Sequence, residues 1–342
     1  MSLVFDDIHH NYGSAAALRG ITLDARPGEI VCLLGQSGCG KSTLLNLAAG
    51  ILPVQSGTIR LDGEVLASKA HAPPPERRPV GLVFQEGALF PHLTVAQNIG
   101  FGVADAGERG RIVSDLLEQI GLEDYGGRYP HTLSGGQRQR IAVARALAPA
   151  PRVLLMDEPF ANIDILLRKR LREEMRRLLK ARGCVTILVT HDPEEAIETA
   201  DRIAVMEAGQ IVQQGTADAL YRDPASLMVG LLTGEGSIVR GQVRAGAVET
   251  AFGTLPTDRL SGVSGDGAHD VLIRPGMADV EVAPIGPMVT DIRHTGERRL
   301  VTLEAAQGEI LLLSVGPGTG LQVGQRGRIV PVGRFPSFPV EG

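Results

Sequence analysis

Short apolar runs alternate with longer amphipathic stretches over residues 28–190, and that alternation predicts strands interleaved with helices. Gly28-Glu29 reads as a turn, and Ile30-Val31-Cys32-Leu33-Leu34-Gly35 as a short buried strand. Lys41 to Ala49 follows as a helix closed by Gly50. Val80 to Gln85, Val153–Met156 and Val185–Thr190 are further strands. Gly136 to Leu147 reads as a helix, and Ile112 to Ile120 is amphipathic. Within a helix at Ile165–Arg182, the residues Leu167, Leu171, Met175 and Leu178 share one face, with Gly183 as the stop. Upstream, Val4 to Ile8 and Ile21 to Asp24 are strands, and residues 58–65 alternate about Asp62-Gly63 as a hairpin. Strands alternating with helices imply a parallel sheet covered on both sides.

The pattern changes after about Thr233. Glycine and valine rise, and short alternating runs replace the helical ones: Gly241–Val248, Val271–Arg274, Leu300–Glu304, Ile310–Ser314 and Gly327–Val332. The expected organisation is an α/β core over residues 1–232, with a helical subdomain at about 86–150. A separate all-β domain of small, OB-like barrel type follows over 233–342.

Composition narrows the function. The chain has 342 residues and a net charge of −5, with no tryptophan and few aromatic residues to stack bases, which argues against a nucleic-acid binder. Cys32, Cys39 and Cys184 are far apart, which argues against a zinc cluster and for a reducing compartment. The first ten residues lack a basic segment and do not read as a secretory signal. No run approaches the roughly twenty apolar residues of a membrane span, so a membrane role would come through a partner.

Three elements carry chemistry. Gly35-Gln36-Ser37-Gly38-Cys39-Gly40-Lys41-Ser42, followed by Thr43, fits G-x-x-x-x-G-K-[ST] between a predicted strand and a predicted helix. Its glycines let successive backbone N–H groups curl around phosphates. Lys41 offers a positive charge to the β- and γ-phosphates, and Ser42 offers a hydroxyl to Mg²⁺. Asp157 follows four apolar residues at a strand end, where a carboxylate can hold the hydration shell of Mg²⁺, and Glu158 comes next. Leu133-Ser134-Gly135-Gly136-Gln137 opens a helix with exposed N–H groups and a hydroxyl, which suits an anion. Arg138 and Arg140 then oppose the helix dipole, an oddity that hints at function.

The three elements, in this order, resemble the ATPase subunit of an ABC transporter, strongly to about residue 232 and weakly after it. The resemblance implies ATP with Mg²⁺ as cofactors and an ATP-dependent homodimer that holds nucleotide between two copies. It makes Glu158 the general base for the attacking water and His191 the switch histidine at the γ-phosphate. Gln85 becomes the glutamine that senses Mg²⁺ and links to the membrane partner, with Ala88-Leu89-Phe90-Pro91 after it. Tyr12 stacks the adenine, and Ser134 to Gln137 contact the γ-phosphate held by the opposite subunit. Asp164 is the D-loop aspartate, although Ala161-Asn162-Ile163-Asp164 departs from the usual Ser-Ala-Leu-Asp.

Two further features have bland readings. Cys39 fills space within the loop. The basic run Arg168-Lys169-Arg170, Arg172 and Arg176-Arg177, interleaved with Glu173 and Glu174, reads as a solvated helix face.

The same resemblance implies a bacterial importer subunit, peripheral on the cytoplasmic face of the inner membrane. Its partners are membrane permease subunits and, indirectly, a solute-binding protein. Ile273-Arg274-Pro275 matches the Arg-Pro step of the importer regulatory domain, with Gly276 in place of the usual Glu. Residues 231–236 and 248–256 look most like the ferric-iron group; polyamine, sulfate, sugar and phosphonate importers share the same motifs. A DNA-repair ATPase would need an inserted coiled coil or zinc modules. A translation factor would carry two cassettes, and an exporter cassette usually lacks such a barrel.

Overall fold

A computed structural model describes residues 2–340, except 86, 87, 162, 164, 245 and 264, and gives only the backbone of 165–167. The chain divides into two compact units, Met1–Ala217 and Asp218–Gly342. Among the described residues no helix is long and apolar enough to cross a membrane.

In the first unit, β1 (Leu3–Tyr12) and β2 (Ala15–Ala25) precede β3 (Ile30–Leu34) and α1 (Lys41–Ala49). The expected hairpin is β4 (Ser56–Leu61) and β5 (Glu64–Ser68), turned by Asp62 and Gly63, which both take positive φ as a type I′ turn requires. Strand β6 (Val80–Val83) leads to α2 (Val95–Gly100), α3 (Arg109–Gln119) and α4 (Gly135–Leu147), the helical region expected near 86–150. Then come β7 (Val153–Asp157), α5 (Ile165–Arg182), β8 (Val185–Thr190), α6 (Pro193–Thr199), β9 (Arg202–Glu207) and β10 (Gln210–Gly215). The last two strands were not anticipated.

Strands β2-β1-β4-β5 form an antiparallel sheet, and the main sheet runs β10-β9-β3-β8-β7-β6. Pairs β9/β3, β3/β8, β8/β7 and β7/β6 are parallel, while β10 runs against β9. Every residue of β3 and β8 is buried, as expected of central strands covered on both faces. Leu33, Leu44, Leu155 and Ile187 belong to one core that both sheets share.

The face of α5 holds where it is described: Leu171, Met175, Leu178 and Leu179 are all buried. Leu167 lies outside the described side chains. The solvated-face reading of the basic run is only half right. Arg170 pairs with Glu174 at 2.8 Å, and Arg177 with Glu173, both at i,i+4 on the surface. Arg172, in contrast, is 3% exposed and Arg176 bonds Asp201 at 2.7 Å, because α6 and the segment after it supply carboxylates on that side.

The second unit takes in α7 (Ala217–Arg222), apart from its first residue, and α8 (Leu227–Leu232), so the division precedes α8 rather than following it at 232/233. Arg274 is the reason: its guanidinium donates to the carbonyls of Tyr221 (3.0 Å) and Gly230 (3.1 Å), tying the helical segment to the strands.

The strands are β11 (Ser237–Arg244), β12 (Ala247–Thr250), β13 (Gly253–Pro256), β14 (Leu260–Ser261), β15 (Gly267–Ile273), β16 (Ala278–Val282), β17 (Met288–His294), β18 (Arg299–Glu304), β19 (Ile310–Val315), β20 (Gly327–Pro331) and β21 (Phe335–Pro339). They form the sheets β13-β12-β11-β15-β21-β14, β16-β20 and β17-β18-β19, which enclose a common core with Val239, Ile273, Val301 and Phe335. The run 241–248 is not one strand, because the chain reverses after Arg244 and pairs it with Ala247.

Candidate functional site

The loop from β3 to α1 is shaped by close approach. A Cβ on Gly35 would lie 2.3 Å from the Met206 carbonyl oxygen and 2.8 Å from Cys39 Sγ, so nothing larger fits. Cys39 is buried at that contact, in keeping with a space-filling role. Gly40, at φ 106°, is the N-cap of α1 and has no side chain to cap it. The first N–H groups of α1 therefore face the loop without a side-chain acceptor, an arrangement that attracts anions. Lys41 is 5% exposed, and its ammonium donates to the carbonyls of Gly35 (2.8 Å) and Gln36 (2.9 Å).

Strand order brings the remaining groups to this loop. The side chain of Ser42 donates to Asp157 Oδ1 at 3.2 Å. Burial pushes the Asp157 carboxyl above its ordinary value, while the Ser42 hydroxyl and the Lys41 charge pull it back. A hydroxyl facing a carboxyl group offers the hard oxygen donors that suit the Mg²⁺ the motif implies.

Strands β8, β7 and β6 are neighbours, and their C-terminal ends deliver His191, Glu158 and Gln85 to one point. Glu158 Oε1 is 3.0 Å from His191 Nδ1, and Glu158 Oε2 accepts from Gln85 Nε2 at 3.2 Å. The backbone of Glu158 is in the left-handed region at φ 44°, and its N–H donates to Val189 of β8 at 2.9 Å. A non-glycine residue there is strained, and such strain is found where a side chain must be aimed away from its strand.

Glu158 borders a cleft of about 490 Å³ that is also lined by Tyr12, Ser37, Lys41, Ser42 and Thr43, while Gln85 and Asp157 line a second recess together with Arg138. Tyr12 is half exposed; its hydroxyl is 3.4 Å from Thr43 Oγ1, and its ring meets the buried His10 edge-on at 4.9 Å. Ser134 and Gln137 form a capping box at the start of α4 and do not line this cleft. The oddity of Arg138 and Arg140 has a structural account: they donate to the Leu133 and Ile120 carbonyls, and Arg140 also pairs with Glu174 at 2.6 Å. Asp164 lies outside the described residues.

Sequence reasoning passed over His10 and Glu195, and it took Arg172 for part of a solvated helix face. No local motif marks them, because their roles come from packing across elements. His10 is the ring behind Tyr12. Glu195 is 3% exposed and accepts the Thr190 hydroxyl at 2.7 Å.

Comparison with known proteins agrees with the geometry. The ABC transporter family model matches residues 18–161. The chain is 38% identical to the Fe(3+) ions import ATP-binding protein FbpC 2 of Rhodococcus jostii, over 90% of each chain. It is 39% identical to the sulfate/thiosulfate import ATP-binding protein CysA of Caulobacter vibrioides, over 92% of this chain and 93% of that one. Among solved structures it resembles the dimeric, post-hydrolysis ATP-binding cassette MJ0796 bound to ADP and Pi. That match has a TM-score of 0.54 and 28% identity, and covers 63% of this chain and 98% of that one. The similarity to both import proteins spans nine-tenths or more of their lengths, and the chain belongs to the importer-type ATP-binding subunits of ABC transporters, ATPases coupled to transport.

Proposed function

We propose that two copies of this chain bind ATP head to tail and hydrolyse it to drive uptake of an inorganic ion through a separate membrane permease. The observation that carries this reading is the convergence of Gln85 and His191 on Glu158 beside the phosphate loop. Tyr12 stacks the adenine. The loop from Gly35 through Gly40, with Lys41, Ser42 and Thr43, holds the phosphates. Ser42, Asp157 and Gln85 would hold Mg²⁺, which when bound would neutralise phosphate charge. Glu158 takes the proton of the attacking water, and His191 steadies that carboxylate and faces the γ-phosphate.

Ser134 to Gln137 stand apart from their own cleft. They act in trans, on nucleotide held by the other copy. This predicts that Ser134→Arg abolishes hydrolysis but leaves ATP binding to the monomer intact. Loss of monomer binding in equilibrium dialysis would make the trans role wrong. Gln85 and the segment after it receive the permease, which places the chain at the cytoplasmic face of the membrane, served indirectly by a solute-binding protein.

For the solute, ferric iron is the first reading, from residues 231–236 and 248–256. Sulfate is the second, favoured by the similarity to the Caulobacter sulfate/thiosulfate import protein. Uptake of labelled iron and labelled sulfate by a deletion strain separates them. A sulfate defect with normal iron uptake, in a strain without a redundant iron importer, would discard iron and keep the transport reading.

A further inference from the structure

The switch residue His191 sits in a segment gripped from the side by α5. Asp192 uses its two carboxylate oxygens for different tasks. Oδ1 caps α6 by accepting the N–H groups of Glu194 (2.9 Å) and Glu195 (3.4 Å). Oδ2 accepts from Arg172 Nη2 at 2.5 Å and lies 3.7 Å from Arg168 Nη1. Arg172 reaches past Asp192 to Glu198 Oε2 at 3.2 Å, near the far end of α6. Arg168 reaches the other way, to the carbonyl of Ile163 at 3.1 Å, in the segment that follows the acidic pair. From below, the Thr190 hydroxyl donates to Glu195 Oε2 at 2.7 Å and accepts the Asp192 N–H at 3.0 Å.

We propose that Arg172 and Asp192 are positioning residues which hold His191 against Glu158, so that the location of the histidine is set by α5 and not by its own strand alone. This rests on the function proposed above for Glu158 and His191. The physical argument has two parts. Arg172 is 3% exposed, and a guanidinium so buried is held in place by its carboxylates; removing the charge takes the buried partner from both Asp192 and Glu198. And His191 is bonded directly to the residue that Arg172 grips, so any movement of Asp192 is passed on to the imidazole. Arg168 also links the Ile163 carbonyl to the same carboxylate, which ties a residue downstream of the acidic pair to the one after His191. A displacement near 1 Å at such a site costs on the order of a hundredfold in rate.

The test compares Arg172→Met, Arg172→Lys, Asp192→Asn and His191→Ala in the full chain. Asn caps a helix as well as Asp, so Asp192→Asn keeps α6 while weakening the grip of Arg172. Arg172→Met and Asp192→Asn are expected to lower kcat by about tenfold or more with KM for ATP nearly unchanged. Arg172→Lys, which keeps a charge for Asp192, should recover much of kcat. With Glu158→Gln added, both variants should still form the ATP-dependent dimer, which general structural damage would not allow. If Arg172→Met fails to fold, Asp192→Asn decides alone. Turnover within about twofold of the parent in the folded variants, beside an inactive His191→Ala, would overturn this inference and leave the function standing. Full turnover in His191→Ala would overturn both.

Discussion

Both units bury cationic side chains, and they use them in opposite ways. In the first, Lys41 is held by two loop carbonyls and lines a cleft together with the Ser42 hydroxyl and the Glu158 carboxyl group. In the second, Arg274 is fully buried, and its acceptors are the Tyr221 and Gly230 carbonyls and Thr233 Oγ1 at 3.4 Å, with the Tyr221 ring 3.9 Å away. Burial lowers the pKa of that guanidinium. His269, equally buried, bonds Ser337 at 2.9 Å. Burial of a charged group therefore does not mark chemistry. What separates the two is whether neighbouring polar groups face a space a ligand can enter or face one another.

The largest effect should come from the base. Glu158→Gln is expected to cut turnover by about 10²–10⁴ while ATP still binds, read by steady-state phosphate release and equilibrium dialysis. Near-normal turnover would put the base elsewhere and remove one side of the contrast. Next is Arg274→Ala. Loss of several hydrogen bonds to a charged group should cost the second unit about 3 kcal/mol, seen in denaturant unfolding, with ATPase activity of folded protein unchanged. A specific fall in kcat without loss of stability would give Arg274 a functional role and blur the distinction.

Glu195 sharpens the comparison, since it is a buried acid close to the site. Burial pushes its carboxyl from 4.5 to about 7, partly offset by the Thr190 hydroxyl and the Arg172 charge, while Asp192 and Glu158 add to the rise. The folded chain then binds a proton that the unfolded chain has released. Its contribution to stability is fully present below about pH 4.5 and is lost as pH rises through about 7. Glu195→Gln should remove that slope and raise stability at pH 8 by about 2 kcal/mol, measured by urea unfolding across pH 5–8. An unchanged pH slope would show that Glu195 is ionised in the fold. The smallest effect is at Tyr12. Its replacement by Ala should weaken nucleotide binding by about five- to tenfold, the worth of one stacking contact.

The core of the first unit was legible because parallel strands buried on both faces read as unbroken apolar runs, and β8 and α5 fall at the expected residues. The phosphate loop and the acidic pair were legible because their chemistry requires adjacent residues. Arg172 was not: a helical pattern cannot distinguish a solvated arginine from one that meets carboxylates on α6. The edge strand β10 alternates between exposed and half-buried positions with none buried, so it lacks the apolar run of a core strand, and the hairpin within 241–248 was missed although Gly246 marks its turn.

The capping box at Ser134 has a directional consequence. The serine oxygen already accepts the Gln137 backbone N–H, and the Ser134 N–H is spent on the Gln137 side-chain Oε1. What the hydroxyl has left to give is its proton. The helix thus begins with a single rotatable donor, set ahead of N–H groups that point the same way. An aspartate at 134 would start the helix as well, but it would meet a phosphate with a negative charge and no proton to share. Helix formation asks only for an oxygen at this position; an approaching anion also asks for the hydrogen on it.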